Sequence, residues 1–411
     1  MHQRKKTIFL KMSSAFIQAI LIQIFVNLSF TVSAADVTTT KDTVRIALFN
    51  IWEMSTEKLT NIDMNGIGQD DQLKAAAEIV RRISPDVLVL NEIDHDIDAL
   101  QAGQDLSLNA RRFNDAYLNQ GDKPLTYQFT YAAPCNTGFL AGKDFDNNGK
   151  VATVKDQGSR EHGGDCYGYG VYPGQYSMAI LSRFPLEHEQ ARTFQKYLWK
   201  DLPDNLIPRE WYSDDEIEIF RLSSKSHWDV PVRIGKKLVH LLVSHPTPPV
   251  FDGPEDRNGR RNYDELKMWV HYINNDTVMV DDSGVRGGLA EDESFIIIGD
   301  LNAAPQGDTL ETGQRSIDQL LKHPRINDCG DLLVSEGALD GRKPGPPDYI
   351  ERRTSGWDGR GLRIDHLLPS IDLEPVSGGV YWPDVKIDPD GAALAKKASD
   401  HRLIWLDIKV K

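Results

Sequence analysis

Short runs of consecutive apolar residues, not alternating ones, punctuate this chain. Val44–Ile51 (VRIALFNI) is the first, and a run of that length with no polar face reads as a strand buried on both sides. Over Gln72–Ile83 the apolar positions Leu73, Ala76, Ala77, Val80 and Ile83 recur at helical spacing, and Pro85 stops the helix. Asp86–Leu90 (DVLVL) is a second buried strand. Strand, helix and strand in succession predict an α/β layered fold. Further strands are predicted at Ser177–Ser182, Lys237–Ser244, Phe295–Gly299, Arg363–Leu368 and Leu403–Lys409, with helices at Tyr263–Thr277 and Glu311–His323. Strands spread over the whole length favour one domain, residues 43–411, with two sheets packed face to face and helices outside. The connections Ala133–Gln175, Gln195–Ser226, Pro246–Asn262 and Asp340–Gly361 are long, polar and rich in Gly or Pro. Loops of that length in a compact domain are commonly functional, and the stretch at 133–175 reads as an insertion.

The first residues follow a different pattern. Arg4, Lys5, Lys6 and Lys11 precede a largely apolar run, Ala15–Phe30, and then Val32-Ser33-Ala34, which together predict a cleaved signal peptide at 1–34. The run is short for a bilayer span and carries Gln18, Gln23 and Asn27, which argues against a stable membrane anchor. The expectation is a secreted or periplasmic protein. Losing those residues removes four positive charges and no negative ones, so the formal charge moves from −14 to −18. Such a protein does not bind a polyanion through bulk charge, so a phosphate-bearing substrate must be met by local Arg and Lys or by metal ions. In an oxidising compartment the three cysteines favour one bridge, Cys135–Cys166, leaving Cys329 free and buried. Nothing in the sequence points to a protein partner.

Polar residues able to bind metal or phosphate stand at the tips of the apolar strands. Asn50 ends LFN, Glu92 follows VLVLN, and His245 follows LLVS. Taken singly, Asn50 fits a turn, His245 a structural role, and Glu92 either a surface position or a metal ligand. FIIIGDLNAAP (Phe295–Pro305) is the most informative stretch: a fully apolar strand runs into Gly299, read as a tight turn, then Asp300 and Asn302 on one side. Asp365 closes another strand in RID, and Ser399-Asp400-His401 precedes the last strand. An adjacent Asp and His suit a carboxylate that orients or charges an imidazole.

In this order the set resembles the endonuclease/exonuclease/phosphatase superfamily, which includes deoxyribonuclease I-like nucleases, abasic-site endonucleases, inositol-polyphosphate phosphatases and neutral sphingomyelinases. IIIGDLNAAP and SDHR carry the likeness, supported by NE and by QYSMAILSRFP (Gln175–Pro185), and it covers about residues 43–410. The resemblance implies a four-layered α/β/β/α sandwich of two mixed sheets with the site at one edge. It implies Glu92 as principal Mg²⁺ (or Mn²⁺) ligand with Asn50 and Asp400 beside it. Asp300 would position or deprotonate the attacking water and Asn302 and Tyr176 would hold the phosphate. His245 and His401 would neutralise it and protonate the leaving oxygen, and Asp365 would complete the ring. Independently, a hard cation on oxygen ligands neutralises phosphodiester charge and lowers the pKa of bound water. No G-x-S-x-G elbow marks a serine nucleophile, and the cysteines lie outside the constellation.

Two stretches depart from the family pattern. After His245 the chain runs through Pro246-Thr247-Pro248-Pro249 into a segment bearing Arg257, Arg260 and Arg261, expected either to contact substrate phosphate or to form a solvated loop. The insertion contains Asp144, Asp146 and Asn148 in a D-x-D-x-N-G pattern, the start of a structural Ca²⁺ loop that places Lys155 where an acid is usual. The leading expectation is a nuclease of extracellular nucleic acid. The alternatives are a phosphatase or phospholipase C-like hydrolase of small or lipid phosphates and, in another class, an inactive binding domain.

Overall fold

The apolar runs become the strands of two sheets. In this computed structural model residues 43–410 are described, apart from 308, 311, 336, 340–346 and 357–360. The expected signal at 1–34 and parts of two expected segments, Glu311–His323 and Asp340–Gly361, lie outside the described residues. The strands are Thr43–Met54 (β1), Val87–Ile93 (β2), Phe129–Tyr131 (β3), Ser177–Ser182 (β4), Arg192–Thr193 (β5), His227–Ile234 (β6), Lys237–Ser244 (β7), Ser294–Asp300 (β8), Asp365–Pro369 (β9), Glu374–Val380 (β10) and Ile404–Lys409 (β11). One sheet has the order β10-β11-β1-β2-β4-β3, the other β5-β6-β7-β8-β9. Each sheet holds one parallel pair, β1 with β2 and β7 with β8, among antiparallel neighbours. A parallel pair needs a crossover; helices Asp71–Ile83 (α1) and Arg257–Ile273 (α2) supply them. A third helix, Pro389–Ala398 (α3), packs on α1.

Both faces of each sheet are covered, which is why the strands read as unbroken apolar runs. Val44, Ile46, Leu48, Val87 and Val89 of the first sheet meet Val239, Leu241, Val243, Ile296 and Ile298 of the second in a shared core. On the far side of the first sheet, Ala47, Phe49, Leu88 and Leu90 pack against Leu73, Ala76, Ala77 and Val80 of α1. On the far side of the second, Leu242 and Ile297 meet Leu266, Trp269 and Ile273 of α2. The layers are thus α/β/β/α. Asp70 caps α1 by accepting from the Leu73 amide at 2.9 Å, and Ser84, with φ 52°, ends it.

Several expectations change. Helix α2 starts at Arg257, not Tyr263, because the Pro-rich exit of β7 is shorter than its composition suggests. The expected helix to His323 is one turn, Asp318–Leu321. Strand β6 carries Asp229 in its interior, satisfied by His240 Nδ1 at 2.8 Å and by the Tyr272 hydroxyl at 2.5 Å. Gly299 does not turn the chain: a Cβ there would lie 1.9 Å from the Ser244 carbonyl oxygen, so glycine is what lets β7 and β8 end side by side. The expected Cys135–Cys166 bridge is not formed. All three cysteines are buried thiols; Cys135 Sγ lies 3.1 Å from Thr137 Oγ1, and Cys166 donates to the His162 carbonyl at 3.0 Å.

Candidate active site

The two parallel pairs end at the same edge of the sandwich. Asn50 lies beside Asn91 in the β1–β2 ladder, and Asp300 pairs with Asp365 between β8 and β9. The sheets are stitched here by the Asp300 amide, which donates to Asn91 Oδ1 at 2.8 Å. Four non-glycine residues at this edge adopt left-handed backbone: Glu53 (φ 56°), Glu92 (φ 62°), Tyr176 (φ 56°) and Asn302 (φ 50°). Glu92 occupies a register shift shared by its ladders with β1 and β4. Backbone strain of this kind persists only where surrounding structure enforces it, and it clusters at functional sites.

Asp300 Oδ2 is the hub. Asn50 Nδ2 donates to it at 3.0 Å and to Glu92 Oε1 at 3.0 Å. His245 Nε2 lies 3.5 Å and His401 Nε2 3.7 Å from the same oxygen. The other Asp300 oxygen accepts the Asn302 amide at 3.0 Å. Asp365, fully buried, holds His401 Nδ1 at 2.9 Å. Asn302 spends one amide N–H on the Pro246 carbonyl at 3.1 Å and keeps a second. Tyr176 donates its hydroxyl to Glu53 Oε1 at 2.9 Å, bringing Glu53, absent from the sequence reading, to the site. Ser399 Oγ lies 3.3 Å from Asp400 Oδ1 and donates to the Asn50 carbonyl at 2.8 Å, so Asp400 stands next to Asn50.

Electrostatics divides the two histidines. Burial drives the His245 pKa well below the ordinary value, aided by the charges of Lys225 and His401, so His245 is neutral. Burial would also discharge His401, but Asp365 and Asp300 outweigh it and hold His401 as an imidazolium. Burial pushes Asp300 up to about 7, with Asp365 and Glu92 adding to the rise and His401 opposing it. Glu92 is raised for the same first reason. A buried carboxylate near 7 between a neutral and a charged imidazole is the electrostatics of an acid–base site.

Two positions went unnoticed in the sequence. Lys225, before β6, is only 6% exposed, and burial lowers its pKa against the pull of Glu265, Glu92 and Asp300. Glu265, on α2, accepts the backbone amides of Ser224 at 2.7 Å and Thr247 at 2.6 Å. Asn262, one turn earlier, donates to the carbonyls of Thr247 (2.9 Å) and Leu301 (3.0 Å). One face of α2 therefore fixes three loops around the site. Apolar periodicity could not flag these polar side chains on a buried helix face.

Without substrate, the three arginines expected near the phosphate have protein partners. Arg257 pairs with Glu255 and lies over the Trp211 ring, Arg260 pairs with exposed Glu210, and buried Arg261 donates to the carbonyls of Leu222, Tyr167 and Arg221. The segment is the first turn of α2, and these side chains brace it. The insertion loop also differs in detail. Asp144 and Asp146 converge with Asp165, not with position 155, while their oxygens accept amides of Asn148 and Gly149.

The family follows from the whole pattern: the profile of the endonuclease/exonuclease/phosphatase family matches residues 49–401. The chain belongs to that family. No curated protein matches it significantly. Among solved structures, an endonuclease/exonuclease/phosphatase from Beutenbergia cavernae DSM 12333 aligns with TM-score 0.51 at 16% identity, covering 90% of this chain and 72% of that one. The human Nocturnin catalytic domain with bound sulfate aligns with TM-score 0.44 at 14% identity, over 89% and 93% of the two chains. A mannosyl-6-phosphatase from Bacteroides thetaiotaomicron VPI-5482 gives 0.42 at 12%, over 89% and 99%. The likeness to the Beutenbergia structure shows a shared fold. As a family member the chain is a hydrolase of phosphate esters, a chemistry that depends on divalent metal. A carboxylate oxygen suits such an ion, and Glu92 supplies one beside Asn50 and Asp400, while Asp300 and His245 present polar atoms within 4.8 Å of it on the same side.

Proposed function

We propose that this enzyme is exported and cleaves phosphodiester bonds in extracellular nucleic acid with Mg²⁺ or Mn²⁺. The nucleic-acid reading is carried by one observation. A groove of about 410 Å³ opens beside Asp400 and is lined by Trp52, Lys58, Lys396, Lys397 and Arg402. Trp52 is 55% exposed, two residues from Asn50, so its ring is open to stack on a base. A stacking ring suits a base, and Lys396 and Lys397 beside it suit the phosphates around that base, although Glu53 and Asp400 also line the groove.

In this reading Asn50 and Glu92 hold the ion, with Asp400 beside them. Held there, a divalent cation would supply charge neutralisation for the phosphate and a lowered pKa for water. Asp300 takes the water's proton, a step worth about 10²–10⁴-fold for a well-placed base. Neutral His245 and the remaining Asn302 N–H bind non-bridging oxygens. The His401 imidazolium, charged and aimed by Asp365, donates to the phosphate and then to the departing oxygen.

The assay is plasmid DNA and RNA with Mg²⁺, run beside a chromogenic monoester and diester. Nicking abolished by EDTA is the expected result; monoester turnover with intact nucleic acid overturns the substrate assignment. The net charge of −14 favours a second reading, a small or lipid phosphate substrate, and the same assay decides between them. Export predicts a mature secreted protein that begins at Ala35, read by N-terminal sequencing.

A further inference from the structure

We infer that Lys225 is a catalytic residue of this site, its ammonium binding a non-bridging oxygen of the substrate's phosphate before and during attack. The inference rests on the phosphate-ester chemistry of the site and not on which phosphate ester is cleaved. Lys225 reaches the site through the ladder of β6 with β7. His227 pairs with Ser244, so the chain just before β6 runs alongside the His245–Thr247 exit. That placement is locked from behind, because the neighbouring Ser224 amide and the Thr247 amide bind the two oxygens of one Glu265 carboxylate.

The side chain has the environment of a ligand-binding group. Lys225 is 6% exposed, yet its ammonium makes no hydrogen bond or ion pair with any described residue. A buried cation without a partner is costly, and proteins ordinarily provide one. The carboxylates whose charge it feels, Glu265, Glu92 and Asp300, are already committed: Glu265 to two amides, Glu92 and Asp300 to Asn50. The nearby His245 Nδ1 is also buried without a hydrogen-bond partner. An ammonium left unpaired beside carboxylates that are already committed calls for an anionic ligand, and a phosphate is one. Lys225 thereby complements the ion on the Glu92 side: each neutralises a different part of the phosphate.

The test is binding of inorganic phosphate to the metal-free protein in EDTA, by calorimetry, with wild type, Lys225→Met and Lys225→Arg. Wild type binds; Lys225→Met weakens binding by about 10- to 100-fold, the usual scale for losing a charged hydrogen bond; Lys225→Arg recovers part of it. Mn²⁺ affinity, measured separately, is unchanged or tighter in Lys225→Met, since a repelling cation has gone. Unchanged phosphate binding in Lys225→Met, together with weaker Mn²⁺ binding or lower stability, overturns the proposal and makes the lysine a structural counter-ion. If Lys225→Met does not fold, melting of the wild type in EDTA decides, with a Tm that ignores saturating phosphate counting against the site. Phosphate binding needs no turnover, so failure to cleave nucleic acid leaves this result standing.

Discussion

His401 keeps its proton because fully buried Asp365 lies 2.9 Å from its Nδ1. Burial alone would discharge the imidazole. The pair thus converts an ordinarily neutral group into a standing cation beside Asp300. Asp365→Asn keeps the shape and removes the charge. The expected outcome is a fall in kcat of about 10²–10⁴-fold, with the alkaline limb of the pH–rate profile moved to lower pH. A variant with wild-type kcat at all pH values would remove Asp365 from the mechanism.

The pH dependence of the wild type follows from the same cluster. Asp300 acts as a base only when ionised, and burial places its pKa at about 7. Activity therefore rises with pH through a midpoint at or below about 7, because a bound cation stabilises the carboxylate further. At higher pH it falls again as His401, held protonated by Asp365 and Asp300, loses its proton. The measurement is kcat/KM against pH at saturating metal, and a profile with no acidic limb, or with an acidic midpoint clearly above about 7, would contradict it.

Trp52→Ala tests the groove apart from the chemistry. A stacked base contributes about 1–3 kcal/mol, so KM for single-stranded DNA should rise by roughly tenfold or more. A small chromogenic diester, too short to reach the ring, should be cleaved at the wild-type rate. Equal losses on both substrates would mean that Trp52 supports the loop and does not stack.

Stability carries its own pH signature at Asp264 on α2. One oxygen accepts Trp199 Nε1 and the Leu206 amide, both at 2.6 Å, while the other is buried without a partner. Burial raises its pKa to about 6. With the folded value above the unfolded one near 3.9, the native state binds the proton more tightly, so this group costs stability as pH rises from about 4 to 6. The shift corresponds to something on the order of 3 kcal/mol. Urea unfolding should show Asp264→Asn gaining on wild type between pH 4 and 7 by a sizeable part of that amount; a constant difference across that range would refute the assignment.

Much of this was readable in the chain, and the reason is physical. Strands covered on both faces must be continuously apolar, so Ser177–Ser182 and Lys237–Ser244 were bounded to the residue. Asp300, at the end of one such run, and His401, just before another, stood out because they fall in family order with the other polar residues at strand tips. What was missed is polar structure whose partners lie far along the sequence. Strand β6 hides its buried Asp229 behind a histidine and a tyrosine from other elements. Lys225 and Glu265 look like solvated surface until the fold encloses them. Arg257, Arg260 and Arg261 show how a loop read from composition can be a helix: the helix starts there, and buried Arg261 spends its guanidinium on the carbonyls of Leu222, Tyr167 and Arg221.

The order of strands in the first sheet has a consequence for how the enzyme comes into being. Strand β11 lies between β10 and β1, and Thr43 pairs with Lys409, so the centre of that sheet joins the earliest described strand to the latest. His401 is delivered by the same event, three residues before β11 begins. Closing so large a loop precedes the contacts that reward it, and folding dominated by such pairings is slow. A partly translated or unthreaded chain therefore carries Asn50, Glu92 and Asp300 but not the imidazolium that completes them. The ring of polar groups around Asp300 is complete only once that final pairing has formed.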